Sequence, residues 1–245
     1  MPGAFDQTWA TGGTYSHTLP STGTMYSFTV ECIAGGGSGG AVNLTSKRAG
    51  GGAGGGCSVY AVEGPGCYAM GTTFTIVVGS GGNFKSVNGD NSSVYDSTNS
   101  TMICLSNGGG GVPLNSGDRG LAINSGAIGT DKWSGGNGAI SGTSWSGGGG
   151  GGAGTTADGT SASGISGGAG GAKGGGTGGN GRSAPLSPGT GYPGANYGAG
   201  GGGAVDDSPS SGYNGGNGAV GAIRIAYSWT NASNNNQMYN IISTF

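Results

Sequence analysis

Glycine is the feature that most restricts how this chain can fold. The 245-residue sequence contains 66 glycines, and 43 of them lie between positions 107 and 218 with only 14 large apolar residues. Each glycine loses about 0.5–1 kcal/mol more backbone freedom on ordering than alanine does, or roughly 20–40 kcal/mol over that stretch. Fourteen apolar side chains at about 1.5–3 kcal/mol each give only a similar sum. The stretch is therefore either disordered or held by hydrogen bonds between backbones that approach closely.

The spacing of the glycines favours close backbone packing. Gly215, Gly218 and Gly221 recur at every third residue, and the same period appears among residues 164–170 and 168–174. Polyproline-II helices have three residues per turn and no internal hydrogen bonds, and glycine lets such helices approach one another. We therefore expect residues 107–218 to be ordered as stacked polyglycine-II strands joined by loops. Gly218 is expected to face another backbone, whereas Gly12 is expected in a polar turn before the sheet.

Strand-like alternation is found towards both ends of the chain. Apolar residues occupy every second position, or form short β-branched runs, in five segments: 26–33, 57–62, 73–78, 101–105 and 222–229. No segment shows a sustained helical period. The predicted fold class is mostly β with polyglycine-II, a small β-sheet base plus stacked glycine-rich strands and loops, with little or no helix. The predicted regions are an N-terminal segment (1–22), a β-rich base (23–106), a glycine-rich region (107–218), a closing strand (219–229) and a tail (230–245).

Charge and hydropathy narrow the range of partners. Only 7% of the residues are charged and the net charge is -2, so we expect no binding to nucleic acid. No apolar run approaches the roughly 18 residues that a membrane helix needs, so no membrane insertion is expected. The first residues lack the basic and apolar regions of a signal peptide, which predicts synthesis in a cytoplasm.

The four cysteines do not form a metal-binding pattern. Cys32, Cys57, Cys67 and Cys104 include no C-x-x-C pair, which argues against a zinc site. They are interpreted as small buried hydrophobes with reduced thiols, and a Cys57–Cys67 bridge is the alternative.

Catalytic and cofactor signals are weak throughout. His17, the single histidine, has no nucleophile motif beside it and is interpreted as an exposed or capping residue. Gly50, Gly52 and Gly55 satisfy G-x-G-x-x-G, but a strand follows where a nucleotide site needs a helix. Asp90 and the pair Asp206–Asp207 offer oxygen ligands for calcium, although solvated turn residues are the better interpretation. We expect no catalytic residue, no metal and no cofactor.

Isolated aromatic residues punctuate the glycine runs. The candidate partner-binding residues are Trp133, Trp145, Tyr192, Tyr197 and Tyr213. Aromatic side chains flanked by small residues supply rigid contact area on loops. The alternative is that they are buried anchors for the glycine stack.

The order of motifs resembles a known family. GTMYSFTVECIAGGG (23–37), GGGCSVY (54–60), GTTFTIVVGSGG (71–82), NSSV with LSNGGGG (91–94 and 105–111) and GGNGAVGAIRI (215–225) occur in this order. The chain is similar over residues 14–229 to the glycine-rich domain of bacteriophage tail fibres, tail-tip adhesins and other virion appendages. The resemblance implies a β-sheet base, polyglycine-II strands, and variable tip loops that contact a host surface. It also implies a virion component that is trimeric or mounted on a trimeric fibre.

The chain departs from the long phage adhesins because only about 20 residues precede the first predicted strand. Its tail, 230–245, ends apolar after a polar spacer and is a candidate to dock on a neighbouring subunit.

The expected function is that of a non-catalytic virion surface protein, a tail fibre, spike or adhesin. Its expected partners are other virion proteins and a host polysaccharide or outer-membrane protein. The alternatives are a capsid decoration, cement or head-fibre protein, and a polyglycine-II antifreeze protein.

Overall fold

Every regular element of the molecule is a β-strand. The computed structural model describes residues 2–84, 87–183, 188–207 and 212–231. Within these ranges it contains no helix, and the strands are β1 (Pro2–Trp9), β2 (Gly13–Thr18), β3 (Thr24–Ile33), β4 (Lys47–Arg48), β5 (Cys57–Glu63), β6 (Thr73–Val78), β7 (Ser92–Asp96), β8 (Thr101–Ser106), β9 (Asp131–Trp133), β10 (Val205–Asp206) and β11 (Ala222–Thr230). This confirms the predicted mostly-β fold with little or no helix. Apart from Thr230 and Asn231, the predicted tail lies outside the described residues.

Two antiparallel sheets packed face to face form the base. One has the strand order β1-β11-β3-β5-β9 and the other β2-β6-β7-β8. Because side chains alternate along a strand, each sheet turns one apolar face inward. The first contributes Phe28, Val30 and Ile225 to the core, and the second contributes Phe74 and Ile76, all fully buried. The alternation that predicted β3, β6 and β11 thus corresponds to one inward apolar face on each strand, although Tyr26, at the start of the alternating run in β3, is 40% exposed.

Strands β1, β2 and β7 were not predicted, and neither were the short strands β4, β9 and β10. The first strand was expected near residue 26, but β1 pairs with β11 over its whole length, from Pro2↔Thr230 to Trp9↔Ile223. β1 and β2 lie at sheet edges, so few of their side chains reach the core; Phe5 and Trp9 are the large ones on β1. Without a buried face the alternation that marks a strand is absent from the sequence.

Beyond the base, the glycine runs form a bundle whose hydrogen bonds repeat every three residues. Segment 49–56 donates its amides to three neighbours in turn: residues 51 and 54 to segment 134–140, residues 52 and 55 to segment 198–204, and residues 53 and 56 to segment 107–111. Its carbonyls accept from three others, 34–40, 147–153 and Gly120. A three-fold helix directs successive residues in three directions, so each central strand has up to six neighbours. This is polyglycine-II packing.

Two further central strands show the same arrangement. In segment 34–40, the amides of residues 34, 37 and 40 donate hydrogen bonds to the carbonyls of residues 56, 53 and 50, respectively. The amides of residues 36 and 39 donate to the carbonyls of residues 219 and 216. Segment 147–153 donates from residues 147, 150 and 153 to residues 49, 52 and 55. Both segments are buried along their length. The bundle therefore also takes in segments 34–40 and 49–56, which lie within the range assigned to the base in the sequence.

Close approach explains why the bundle strands are glycine. A Cβ built on Gly215, Gly218 or Gly221 would overlap the carbonyl oxygens of Gly39, Gly36 and Ile33 respectively. The steps of three on both strands show two three-fold helices in antiparallel contact. Any side chain at these positions would push the strands apart.

The cysteines lie in two separate places. Cys32, Cys57 and Cys104 are buried with free thiols, as predicted, and Cys104 Sγ lies 3.3 Å from the Ser58 carbonyl oxygen. Cys67 is half-buried beyond the opposite end of β5. At about 3.3 Å per strand residue, the seven residues of β5 hold Cys57 and Cys67 far apart, so the alternative of a Cys57–Cys67 bridge is wrong.

Candidate functional site: the tip of the bundle

The bundle carries one set of loops far from the base. Segment 34–40 follows β3, and segment 49–56 precedes β5. The two segments are antiparallel, with Ala34 bonded to Gly56 at the base and Gly40 bonded to Gly50 at the far end. The far end, here called the tip, comprises the described residues of 41–49, 113–117, 140–146, 164–166, 181–192 and 205–214. The other turns of the bundle, such as 155–157 and 172–174, return beside the base.

Large apolar side chains are exposed at the tip. Six of them have between 38% and 57% of their surface accessible: Leu44, Leu114, Ile140, Trp145, Ile165 and Tyr192. They come from five separate loops that the bundle brings to one end. A concentration of exposed apolar residues marks an interaction surface, whereas single exposed ones are normal.

Trp145 is held flat against the backbone of its own turn. The Gly142 amide donates to the Trp145 carbonyl at 3.0 Å. A Cβ at Gly142 would overlap the indole ring, so the ring lies directly over this residue. Trp145 also forms a β-bridge with Ser183. The turn therefore fixes the indole while leaving 38% of the residue accessible.

Tyr192 lies in the same neighbourhood. The guanidinium of Arg182 is 4.2 Å from the centre of its ring, and Arg182 Nε donates to the Thr190 carbonyl at 2.8 Å. The Ser146 amide donates to the Arg182 carbonyl at 2.8 Å, and this bond links the turn of Trp145 to the segment that contains Arg182. The stacked guanidinium restricts the tyrosine ring, and restricted side chains lose less entropy on binding.

Two charged residues of the tip are paired with each other. Arg48 of β4 bonds Asp207, next to β10, at 3.0 Å, and both side chains are only about a fifth exposed. Asp206 is buried. Among the described residues, no three His, Cys, Asp or Glu side chains are grouped to hold a metal ion. Since Asp207 is paired with a cation, the pair Asp206–Asp207 does not form an open calcium site.

The structure separates the five predicted aromatic residues into three environments. Trp145 and Tyr192 are exposed at the tip. Tyr213 is also at the tip, but it is half-buried against Val42 and bonded to it backbone to backbone. Trp133 and Tyr197 lie at the opposite end, half-buried against the cluster of Ile33, Cys57, Val59 and Ala153. The last two are anchors between bundle and base.

Sequence reasoning missed the aliphatic members of the tip. The predicted site residues did not include Leu44, Leu114, Ile140 or Ile165, although each of them is in a loop between glycine runs. A large apolar residue surrounded by glycine and polar residues is the signal that would have found them.

His17 is part of an aromatic cluster at one edge of the base. Its ring stacks on Phe5 with centroids 4.5 Å apart, and Nε2 lies 3.2 Å from the Tyr227 hydroxyl. Trp9 meets it edge-on. Burial lowers the pKa of His17 below its usual 6.5. The interpretation as an exposed or capping residue is therefore wrong, and the ring contributes to packing.

A family model for a glycine-rich domain matches residues 9–228 of the chain. The chain belongs to the glycine-rich domain family. This family assignment covers both the base and the bundle. No protein with curated annotation matches the chain significantly. In the described ranges, no helix has the length and apolar character needed to cross a membrane.

Proposed function

We propose that this glycine-rich domain protein is a non-catalytic structural component of a virion surface, a tail-fibre tip, spike or adhesin whose tip loops bind the host surface. The observation that carries the proposal is the gathering of six exposed apolar side chains at the end of the bundle farthest from the base. Its expected partners are other virion proteins at the base and a host surface polysaccharide or outer-membrane protein at the tip.

The architecture supports a display role. The central bundle strands are buried and bonded to several neighbours through their backbones, so they offer little chemistry for recognition. Loops held by a rigid scaffold carry the variable side chains in many binding proteins. The bundle thus separates a stable support from a surface of loops.

The environment of His17 supports a non-catalytic role. Its described neighbours are Phe5, Trp9 and Tyr227, and burial lowers its pKa. A triad would require a hydroxyl nucleophile on one ring nitrogen and a carboxylate on the other. Nε2 of His17 is next to the Tyr227 hydroxyl, and no carboxylate among the described residues hydrogen-bonds the imidazole.

Paired alanine variants test the proposal. In particles carrying Trp145→Ala or Tyr192→Ala, we expect host adsorption to fall about 5- to 30-fold, as for loss of about 1–2 kcal/mol of contact energy. The melting temperature of the purified protein should change by no more than about 2 °C, since neither side chain is in the core.

Trp133→Ala is the matched control, because this tryptophan packs at the base end of the bundle. It should lower the melting temperature by several degrees and leave adsorption per folded molecule unchanged. Normal adsorption by both tip variants would end the proposal of a binding tip. Gold labelling would then test a capsid decoration role, which requires many copies over the head.

A further inference from the structure

The outer edge of β1 is the longest free strand edge in the described part of the base. Strand β1 lies at one end of the five-stranded sheet and pairs only with β11, over eight residues and without a bulge. The edges on the other side of the base are better protected. Strand β9 covers residues 57–59 of β5, and β8 has a bulge in its pairing with β7 and a bridge to Ile128. Natural proteins protect free edges by such devices, because an unpaired edge binds other strands.

The hydrogen bonds of the neighbouring strands fix the direction of the backbone groups. The Gly64 amide donates to the Tyr26 carbonyl at 2.9 Å, in line with the register of β3 and β5, so the even-numbered residues of β3 bond to β5. Because the bonding direction alternates along a strand, the odd-numbered residues of β3 bond to β11. Glu31 of β3 is opposite Arg224, so the even-numbered residues of β11 bond to β3 and its odd-numbered residues bond to β1.

The same alternation leaves three residues of β1 with unpaired backbone groups. Tyr227 of β11 is opposite Phe5, so the odd-numbered residues of β1 bond to β11. The N–H and C=O groups of Ala4, Asp6 and Thr8 therefore point out of the free edge of the sheet. No described residue bonds to these groups through its own backbone, and all three residues are exposed.

The one charge on β1 does not protect this edge. Asp6 accepts two hydrogen bonds from Arg224, one from Nη2 at 2.7 Å and one from Nε at 2.8 Å. Arg224 also bonds Glu31, so the Asp6 carboxylate is held over the face of the sheet beside the neighbouring strands. A second strand that approaches in the plane of the sheet meets a paired carboxylate instead of a free one.

We infer that β1 binds β1 of a second copy of this chain, antiparallel about a two-fold axis, so that the two five-stranded sheets become one continuous sheet. Two identical edges complement each other when donors meet acceptors in the same register from both sides. A register centred on Phe5 does this. Ala4 then exchanges both of its backbone hydrogen bonds with Asp6 of the partner subunit, and the reverse pair forms by symmetry. The Thr8 amide donates to the carbonyl of Pro2 of the partner subunit, and proline has no amide that would be left unpaired.

The side chains favour this register and this occupant. Asp6 lies opposite Ala4 of the partner subunit, whereas a register centred on Asp6 would oppose two carboxylates. Phe5 lies opposite the same residue of the second copy, and aromatic pairs across strands are stabilising. The Phe5 ring is held in place by stacking on His17 and Tyr227, with centroids 4.5 and 4.8 Å apart. An identical strand thus satisfies every outward donor of β1 and brings its own aromatic partner. The pairing does not depend on the proposed function, because β1 is part of the base and not of the tip.

A proline substitution and its matched control test the pairing in the full chain. Ala4→Pro removes an N–H that no bond within one copy uses and puts the proline ring where the second strand would lie, so the variant should still fold. Ala4→Val keeps the N–H and enlarges the same side chain. Because edge-to-edge interfaces are small, association is followed by sedimentation from about 1 to about 200 µM. Reductant is present so that Cys67 does not form a disulfide, and amide exchange of β1 is measured in the same samples.

We expect the unsubstituted chain and Ala4→Val to be dimers at the upper end of this range and Ala4→Pro to be a monomer. At the lower end, where all three are monomers, their melting temperatures should agree within about 2 °C. In the dimer the amides of Asp6 and Thr8 should exchange at least about 10-fold more slowly than in the monomer. The amides of Phe5 and Gln7, which bond to β11, should not change.

A monomer at about 200 µM would overturn the inference. A dimer of Ala4→Pro would also overturn it, because the pairing would then lie elsewhere. Slow exchange at Asp6 and Thr8 in the monomer would do the same, because the occupant would then come from the same chain, and so would an oligomer with an odd number of copies. The change of exchange on dilution of the unsubstituted chain tests the pairing even if Ala4→Pro does not fold.

Discussion

Replacing Gly218 by valine should destabilise the protein strongly, because this residue lies against the backbone of segment 34–40. A Cβ at position 218 would overlap both the carbonyl oxygen and the carbonyl carbon of Gly36, more than 1 Å inside ordinary contact distance. The two strands would have to separate. Their separation weakens the bonds from the Gly36 amide to Ala219 and from the Gly39 amide to Gly216, both 2.9 Å.

The expected magnitude follows from these two effects. Overpacking of a close-packed interior costs about 1–3 kcal/mol. Each lost backbone hydrogen bond adds about 0.5–1.5 kcal/mol, so two bonds and the overpacking together cost about 2–6 kcal/mol. For a chain of this size, about 2–4 °C of melting temperature corresponds to 1 kcal/mol, and the melting temperature should fall by about 5–20 °C.

Gly12→Val is the matched control for this experiment. Gly12 lies in the turn between β1 and β2, not before the sheet as expected from the sequence. A Cβ there would be 2.8 Å from Ser80 Oγ, the end of an exposed side chain that is free to rotate. The cost should be about 1 kcal/mol or less. Equal falls in melting temperature for the two variants, measured by calorimetry, would refute the packing argument.

Two further predictions concern titratable groups in the base. Burial lowers the pKa of His17, so the folded state resists protonation; the stability is fully present above pH 6.5 and decreases as the pH falls through that value. The melting temperature should therefore drop between pH 7.5 and pH 5, and it should drop less in the His17→Gln variant. Asp6 and Asp96, whose pKa values are lowered from 3.8, affect the melting temperature only at more acidic pH. Identical pH profiles of the two proteins would refute a role for His17. Burial raises the pKa of the thiols of Cys32, Cys57 and Cys67, but Cys67 is only half-buried, whereas Cys32, Cys57 and Cys104 are buried. In the native protein, mass spectrometry should find Cys67 alkylated before the other three cysteines, and simultaneous labelling of all four would contradict the buried placement.

The sequence determined the chemistry of the backbone packing. With so many glycines and so few apolar side chains, order in the glycine runs requires bonds between backbones, and a period of three follows from the three-fold helix. Strands such as β6 and β11 were also readable, because each buries one face and shows it as alternation. In both cases the information lies in residues close together in the chain.

Tertiary structure decided which residues are presented and which are buried. Trp133 and Trp145 have the same local appearance, an aromatic residue near glycine runs, yet one anchors the bundle to the base and the other is exposed at the tip. Their placement depends on which end of the bundle each strand reaches, and that is set by pairing with strands distant in sequence. For the same reason β1 could not be predicted from the sequence, because its strand conformation comes from pairing with β11, more than 200 residues later in the chain.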